Sequence, residues 1–154
     1  MMSKRVKGLH HRLLIISILL FFFSCKEPIP PEYLGIENII VNDVNSDKAV
    51  LHGDVILNSE EKRTWNIKDV NIDIYNDNDI AGNLYMNENV KIKYGRNSVP
   101  VILSIDLKKI GKLNSILSLL ASKSVTLNLK GEIKVGKSIY NKSLPVDEIV
   151  KIQL

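Results

Sequence analysis

Val125-Thr126-Leu127-Asn128-Leu129-Lys130-Gly131-Glu132-Ile133-Lys134-Val135 decides the fold class of this chain. Apolar or small residues (Val, Leu, Leu, Gly, Ile, Val) alternate at every step with polar ones (Thr, Asn, Lys, Glu, Lys). Successive side chains of an extended backbone point to opposite faces, so a period of two predicts a strand with one face in a core and the other in water. Working outward, Val99, Val101, Leu103, Ile105 and Leu107 share one face, while Ser98, Pro100, Ser104 and Asp106 fall on the other. Ala49-Leu51-Gly53-Val55-Leu57, Val70-Ile72-Ile74, Val90-Ile92-Tyr94 and Val150-Ile152-Leu154 read the same way. Asn and Asp clusters such as Asn42-Asp43 and Asn76-Asp77-Asn78-Asp79 separate them as turns.

One stretch departs from the pattern. Leu107, Ile110, Leu113, Ile116, Leu117 and Leu120 recur at spacings of three and four, the signature of a helix with one apolar side. A short helix is expected over Leu113 to Ser122, with Gly111 near its start, lying over a sheet edge or the mouth of a sandwich. No strand-helix unit repeats, so parallel sheets are not expected. The expectation for residues 35–154 is therefore an all-β domain: an immunoglobulin or fibronectin III-like β-sandwich of about seven strands with one short helix. Such a length buries a core without disulfide staples.

The amino-terminal segment is of another kind. Lys4, Arg5, Lys7 and Arg12 precede an apolar run from Leu13 to Phe23, interrupted only by Ser17. That order of positive flank, apolar stretch and small residue is a secretory leader. As a helix the run reaches about 16 Å, roughly half a bilayer's hydrocarbon thickness, too short to span it. Ser24-Cys25 follows where a small-residue cleavage pattern would otherwise stand. This resembles the lipobox of bacterial lipoproteins, although Phe22 and Phe23 stand where that pattern has Leu and a small residue. The resemblance implies removal of residues 1–24 and lipidation of Cys25, whose acyl chains would hold the protein on a membrane. The other reading is an ordinary secreted protein with one stray cysteine. Cys25 is the only cysteine, so no disulfide framework is available. Residues 25–34, with Pro28, Pro30 and Pro31, read as a proline-rich tether. Extended, it would hold the domain roughly 20 to 25 Å from the lipid. Lys26-Glu27 also resembles, in two residues, the charged tether of Bacteroidetes surface lipoproteins.

Charge and inventory limit the chemistry. The formal net charge of +4 comes from the leader, which holds four of the 21 basic residues and no acid, leaving 17 basic against 17 acidic residues. Nothing in that balance favours nucleic acid. After the leader His52 is the sole histidine, too little for zinc or for a Ser-His or Cys-His nucleophile. Gly131-Glu132-Ile133-Lys134-Val135-Gly136-Lys137-Ser138 fits the phosphate-loop pattern letter for letter. Its loop positions alternate as a strand, however, and no helix pattern follows. No nucleotide is expected, and Gly136-Lys137 reads as a hairpin turn. Asp43-Val44-Asn45-Ser46-Asp47, with Asp54 in the twelfth place, begins like a calcium loop but has Lys48 where the sharp turn needs glycine. Glu60/Glu61 and Asp77/Asp79 read as solvated loop carboxylates. Trp65, Tyr75, Tyr85, Tyr94 and Tyr140 are scattered, as packing residues are. The expected catalytic, cofactor and metal sites are none, and the one assigned position is Cys25.

Asn71-Ile72-Asp73-Ile74-Tyr75-Asn76, Ile80-Ala81-Gly82, Ser98-Val99-Pro100-Val101, the strand Leu103 to Leu107, Val125 to Ile133 and Leu144-Pro145-Val146 follow one another in a particular order. Over about residues 36–154 that succession resembles the late embryogenesis abundant type 2 domain, also called the water stress and hypersensitive response (WHy) domain. Where that family has Asn-Pro after its second strand, this chain has Asn58-Ser59 and then Glu60-Glu61-Lys62-Arg63. The resemblance implies a fibronectin-like sandwich without catalysis. Taken together, the expectation is a non-enzymatic cell-envelope lipoprotein with a binding or structural domain related to desiccation stress. It would sit on the outer membrane, on its periplasmic or surface side, with an envelope protein or a lipid as partner. Lipid binding or transfer is the alternative.

Overall fold

The computed structural model describes residues 27–76, 78–109 and 125–152. They form eight strands: β1 (Glu32–Val44), β2 (Lys48–Ser59), β3 (Trp65–Asn76), β4 (Asp79–Tyr85), β5 (Lys91–Ile92), β6 (Gly95–Asp106), β7 (Val125–Lys137) and β8 (Tyr140–Ile152). Every ladder is antiparallel. The alternation seen in the sequence is the alternation of burial. Val99, Val101, Leu103, Ile105 and Leu107 are all buried, as are Leu127, Leu129, Ile133 and Val135.

The strands are not split into two sheets. The hydrogen-bonded order is β1-β2-β6-β4-β3-β7-β8, with β5 added to β3. β4 joins the halves: Gly82–Tyr85 pairs with Ile102–Ile105 of β6, and Asp79–Leu84 pairs with Ile72–Asn76 of β3. The expected immunoglobulin-like sandwich is thus corrected to one sheet curled around its core like a half-barrel. Periodicity could not separate the two, because it reports which face of a strand is buried and not which neighbour it pairs with. Gly82 makes the joint possible, since a Cβ there would overlap the Ser104 carbonyl oxygen and press on the Ile105 Cα. No helix occurs among the described residues. The expected helix over Leu113 to Ser122 falls in 110–124, outside the described residues.

The two end strands of the curl approach each other without forming a ladder. Tyr33 on β1 donates its hydroxyl hydrogen to Glu148 Oε2 on β8 at 2.5 Å. β1 is irregular as an edge should be, with register shifts at three places and Asn38 at φ 54°, its side-chain amide donating to Asp54 at 2.9 Å. Such bulges spoil a free edge as a template for further pairing. The curl encloses one continuous apolar cluster that runs from Ile36 on β1 to Ile152 on β8.

Candidate functional site

Pairing registers sort the loops into two ends. The end where β1 begins also holds Ser59 with Gly95, Trp65 with Ile92, Asn66 with Gly136, and the turn between Lys137 and Tyr140. The opposite end holds the β1–β2 turn, the β3–β4 turn and the end of β6.

The first end is built around Trp65, which is fully buried. Lys137, the last residue of β7, places its Nζ 5.3 Å from the centroid of that ring. The same ammonium forms an ion pair with Glu61, although their side chains are only 11% and 22% exposed. An ammonium drawn out of water needs both partners, a carboxylate for its charge and an aromatic face for its remaining field. The Trp65 indole Nε1 is buried without a hydrogen-bond acceptor. Glu61 also accepts a hydrogen bond from the Ile29 amide at 2.9 Å, and Glu27 pairs with Lys142 at 2.7 Å. That pairing holds the Glu27 carboxyl below its ordinary range. Pro31 is buried, and β1 starts at Glu32. Residues 27–31, expected to stand away from the domain as a spacer, instead lie against it. A shallow cleft of about 370 Å³ runs between this strap and the β7–β8 turn, lined by Pro28, Glu61, Lys62, Arg63, Lys137 and Tyr140.

Beside the cleft, the loop into β6 is tied by one side chain. Asn97 accepts from the Lys93 amide at 2.9 Å and donates to the Lys93 and Gly95 carbonyls at 2.8 and 2.7 Å. Gly95 takes φ 88°, a left-handed value open to glycine. This loop displays Tyr94, 67% exposed, and the β7–β8 turn displays Ile139, 86% exposed.

The opposite end carries a cleft of about 480 Å³ lined by Asp47, Asp73, Asp106, Lys48, Lys108 and Lys109 among others. Asp47 and Lys108 pair at 2.9 Å, both exposed. The hydrogen bond from Asp47 and then its charge hold the Lys108 ammonium above its ordinary range. Among the described residues no group of three or more His, Cys, Asp or Glu could hold a metal ion.

The sequence-derived positions scatter. Cys25 lies outside the described residues. The calcium-like stretch is a hairpin turn: Asn45 Oδ1 accepts from the Asp47 and Lys48 amides, and Asp54 sits within β2. Gly131 to Lys137 is strand, so no helix starts at Lys137-Ser138, and the hairpin turn lies at Ser138-Ile139 rather than Gly136-Lys137. Ser138 takes φ 53° there. His52 is exposed on β2. Of the carboxylate pairs, Glu61 is no solvated loop residue but half of a sheltered ion pair.

No family profile matches the chain, and no curated protein matches it. Solved structures do. The solution structure of AT1g01470 from Arabidopsis thaliana superposes with a TM-score of 0.58 at 11% identity, over 86% of this chain and 89% of that one. A crystal structure of a protein from Archaeoglobus fulgidus gives 0.56 at 7% identity, over 80% of this chain and 98% of that one. The likeness is one of fold. It extends over nearly the whole of both neighbours, so the architecture is shared by chains whose sequences differ at about nine positions in ten.

Proposed function

We propose that the protein is a non-enzymatic lipoprotein of the cell envelope. Cys25 carries acyl chains after removal of residues 1–24, and the curled sheet serves as a binding or structural module at the membrane. We further propose that the module is of the late embryogenesis abundant type 2 (WHy) kind, acting under water stress. The order of quoted segments supports that reading, and so does a fold shared with a plant and an archaeal protein.

The observation that carries the proposal is the leader itself: basic flank, apolar run of about half a bilayer, then Ser24-Cys25 and no other cysteine in the chain. Carriage of a lipid inside the sheet draws less support, because the interior side chains pack as one continuous cluster. The test is Cys25→Ser, expressed with its own leader and fractionated. The wild-type protein is expected with membranes, its amino-terminal peptide heavier by diacylglycerol, and the variant in the soluble fraction. A variant that still fractionates with membranes sinks the proposal.

A further inference from the structure

We propose that the end of the sheet bearing the residue 27–31 strap is a lipid-contacting face, which lays Ile139 and Tyr94 against an anionic bilayer surface. This inference rests on the lipidation of Cys25 proposed above.

Three observations converge on it. The first is chain length. Glu27 pairs with Lys142, the Ile29 amide donates to Glu61, and Pro31 is buried against the domain. Cys25 is two residues before Glu27, so its Cα lies within about 7 Å of the Glu27 Cα whatever its conformation. Acyl chains on Cys25 therefore bring the bilayer to this end of the domain and leave no free spacer between them.

The second is charge. The segments that make up this end, 27–32, 59–66, 91–97 and 136–142, carry seven basic and four acidic residues. The described segments at the opposite end, 43–49, 78–80, 105–109 and 150–152, carry four of each. Among the described residues positive charge is thus greater at the strap end, and basic residues gain most close to an anionic headgroup layer.

The third is the exposed apolar surface. Ile139 is the most exposed large apolar side chain described, and Tyr94 also stands out in solvent. Both sit on tight supports, a two-residue hairpin turn and the loop clamped by Asn97. A rigid turn that presents an exposed isoleucine next to Tyr140 suits the boundary between headgroups and acyl chains. A second copy of the chain would bring the same excess of positive charge to the contact, so lipid is the better complement.

The test uses Ile139→Cys in the full chain, matured and purified with its lipid. Cys25 is the only native cysteine, so with its sulfur in a thioether, position 139 holds the sole reactive thiol. It is labelled with a polarity-sensitive dye and the protein is mixed with vesicles of phosphatidylethanolamine and phosphatidylglycerol. Tyr94→Cys is the companion probe and Ile80→Cys, at the start of β4 on the opposite end, the control. Emission at 139 and 94 should shift to the blue and be quenched by spin-labelled acyl chains, less so on phosphatidylcholine, and emission at 80 should not change. Flotation of the same samples reports the anchor separately. Protein that floats while the label at 139 stays as water-exposed as that at 80 overturns this inference and spares the anchor; protein that does not float overturns both. A blue shift that grows with protein concentration in detergent assigns the face to a second copy and overturns the inference as well.

Discussion

The two ends of the sheet close their loops by different physics. At the strap end a fully buried tryptophan supports a sheltered Lys137–Glu61 pair, which in turn holds the incoming chain through the Ile29 amide. At the other end the β1–β2 turn is closed by Asn45 bonding its own neighbours, and Lys108 and Asp47 meet in solvent. A contact in water that is lost is replaced by water, whereas a charge stripped of its partner in a sheltered site has no replacement. The strap end should therefore be intolerant of single changes and the far end forgiving.

Glu61→Ala should give the largest effect. It leaves the Lys137 ammonium sheltered with only the Trp65 face for company, and it removes the acceptor of the Ile29 amide. We expect a loss of about 3 kcal/mol in urea unfolding. Adding Lys137→Met, which keeps the aliphatic contact with the indole and discards the charge, should bring stability back to within about 1 kcal/mol of wild type. If the double variant is no better than the single one, the pair is an ordinary surface contact and the contrast between the ends fails.

How much of this could be read in the sequence depends on what each feature requires. The faces of β6 and β7 were legible because both strands keep one register along their length, so every second residue from Val99 to Leu107 is buried. β3 was legible only in its second half. Val70, Ile72 and Ile74 share one parity while Trp65 and Ile67 hold the other, and both sets face the core because the register with β7 shifts between Ile67 and Asp69. A bulge erases the period-two signal at the point where it matters, and Trp65 stands on the far side of it. Tyr94 shares its parity with Val90 and Ile92, yet β5 ends at Ile92 and the chain then turns through Gly95. Gly136 suggests a turn, yet it lies inside β7, where a Cβ would only displace the flexible ends of Asn141 and Lys68. The cluster at the strap end was beyond reach for a plainer reason. Glu61 and Trp65 meet Lys137 only through the pairing of Asn66 with Gly136, and no spacing within one segment encodes a pairing between distant ones. The unusual run Glu60 to Arg63 was the single hint.

The seam between β1 and β8 tests whether the curl is held at its open side. Burial, and then the hydrogen bond and charge of Glu148, push the Tyr33 hydroxyl above its ordinary value. The folded state therefore keeps this proton where the unfolded chain gives it up, so the contribution is complete below about pH 10 and declines above it. Wild type should exceed Tyr33→Phe by about 1 kcal/mol near neutral pH. Above pH 10 that margin should shrink, at up to about 1.4 kcal/mol per pH unit, because only wild type gains from ionisation on unfolding. Urea melts of both proteins at several pH values check the slope. A margin that stays constant would mean Tyr33 ionises alike in the folded and unfolded chains, with no seam contact to protect it.

The smallest effect sharpens the comparison most, because one chemical change can be made at both ends. Asn45→Ala removes an acceptor for two turn amides that water reaches, since the whole 42–48 stretch is exposed. Asn97→Ala removes one acceptor and two donors of a half-buried amide, and with them the only side-chain bonds described on the Lys93 and Gly95 carbonyls. Exposed groups recover most of a lost hydrogen bond from solvent; of the three Asn97 bonds two are exposed and the one to the Gly95 carbonyl is part-buried. The expectation is therefore about 0.5 kcal/mol for Asn45 and about 1.5 kcal/mol for Asn97, which loses three bonds, one of them part-buried, with hydrogen exchange of nearby amides accelerated only locally in the first case and along β5 and the start of β6 in the second. Equal costs at the two positions would mean that the Lys93–Asn97 loop is as open to water as the β1–β2 turn, and Tyr94 would then lose the rigid support from which it is presented.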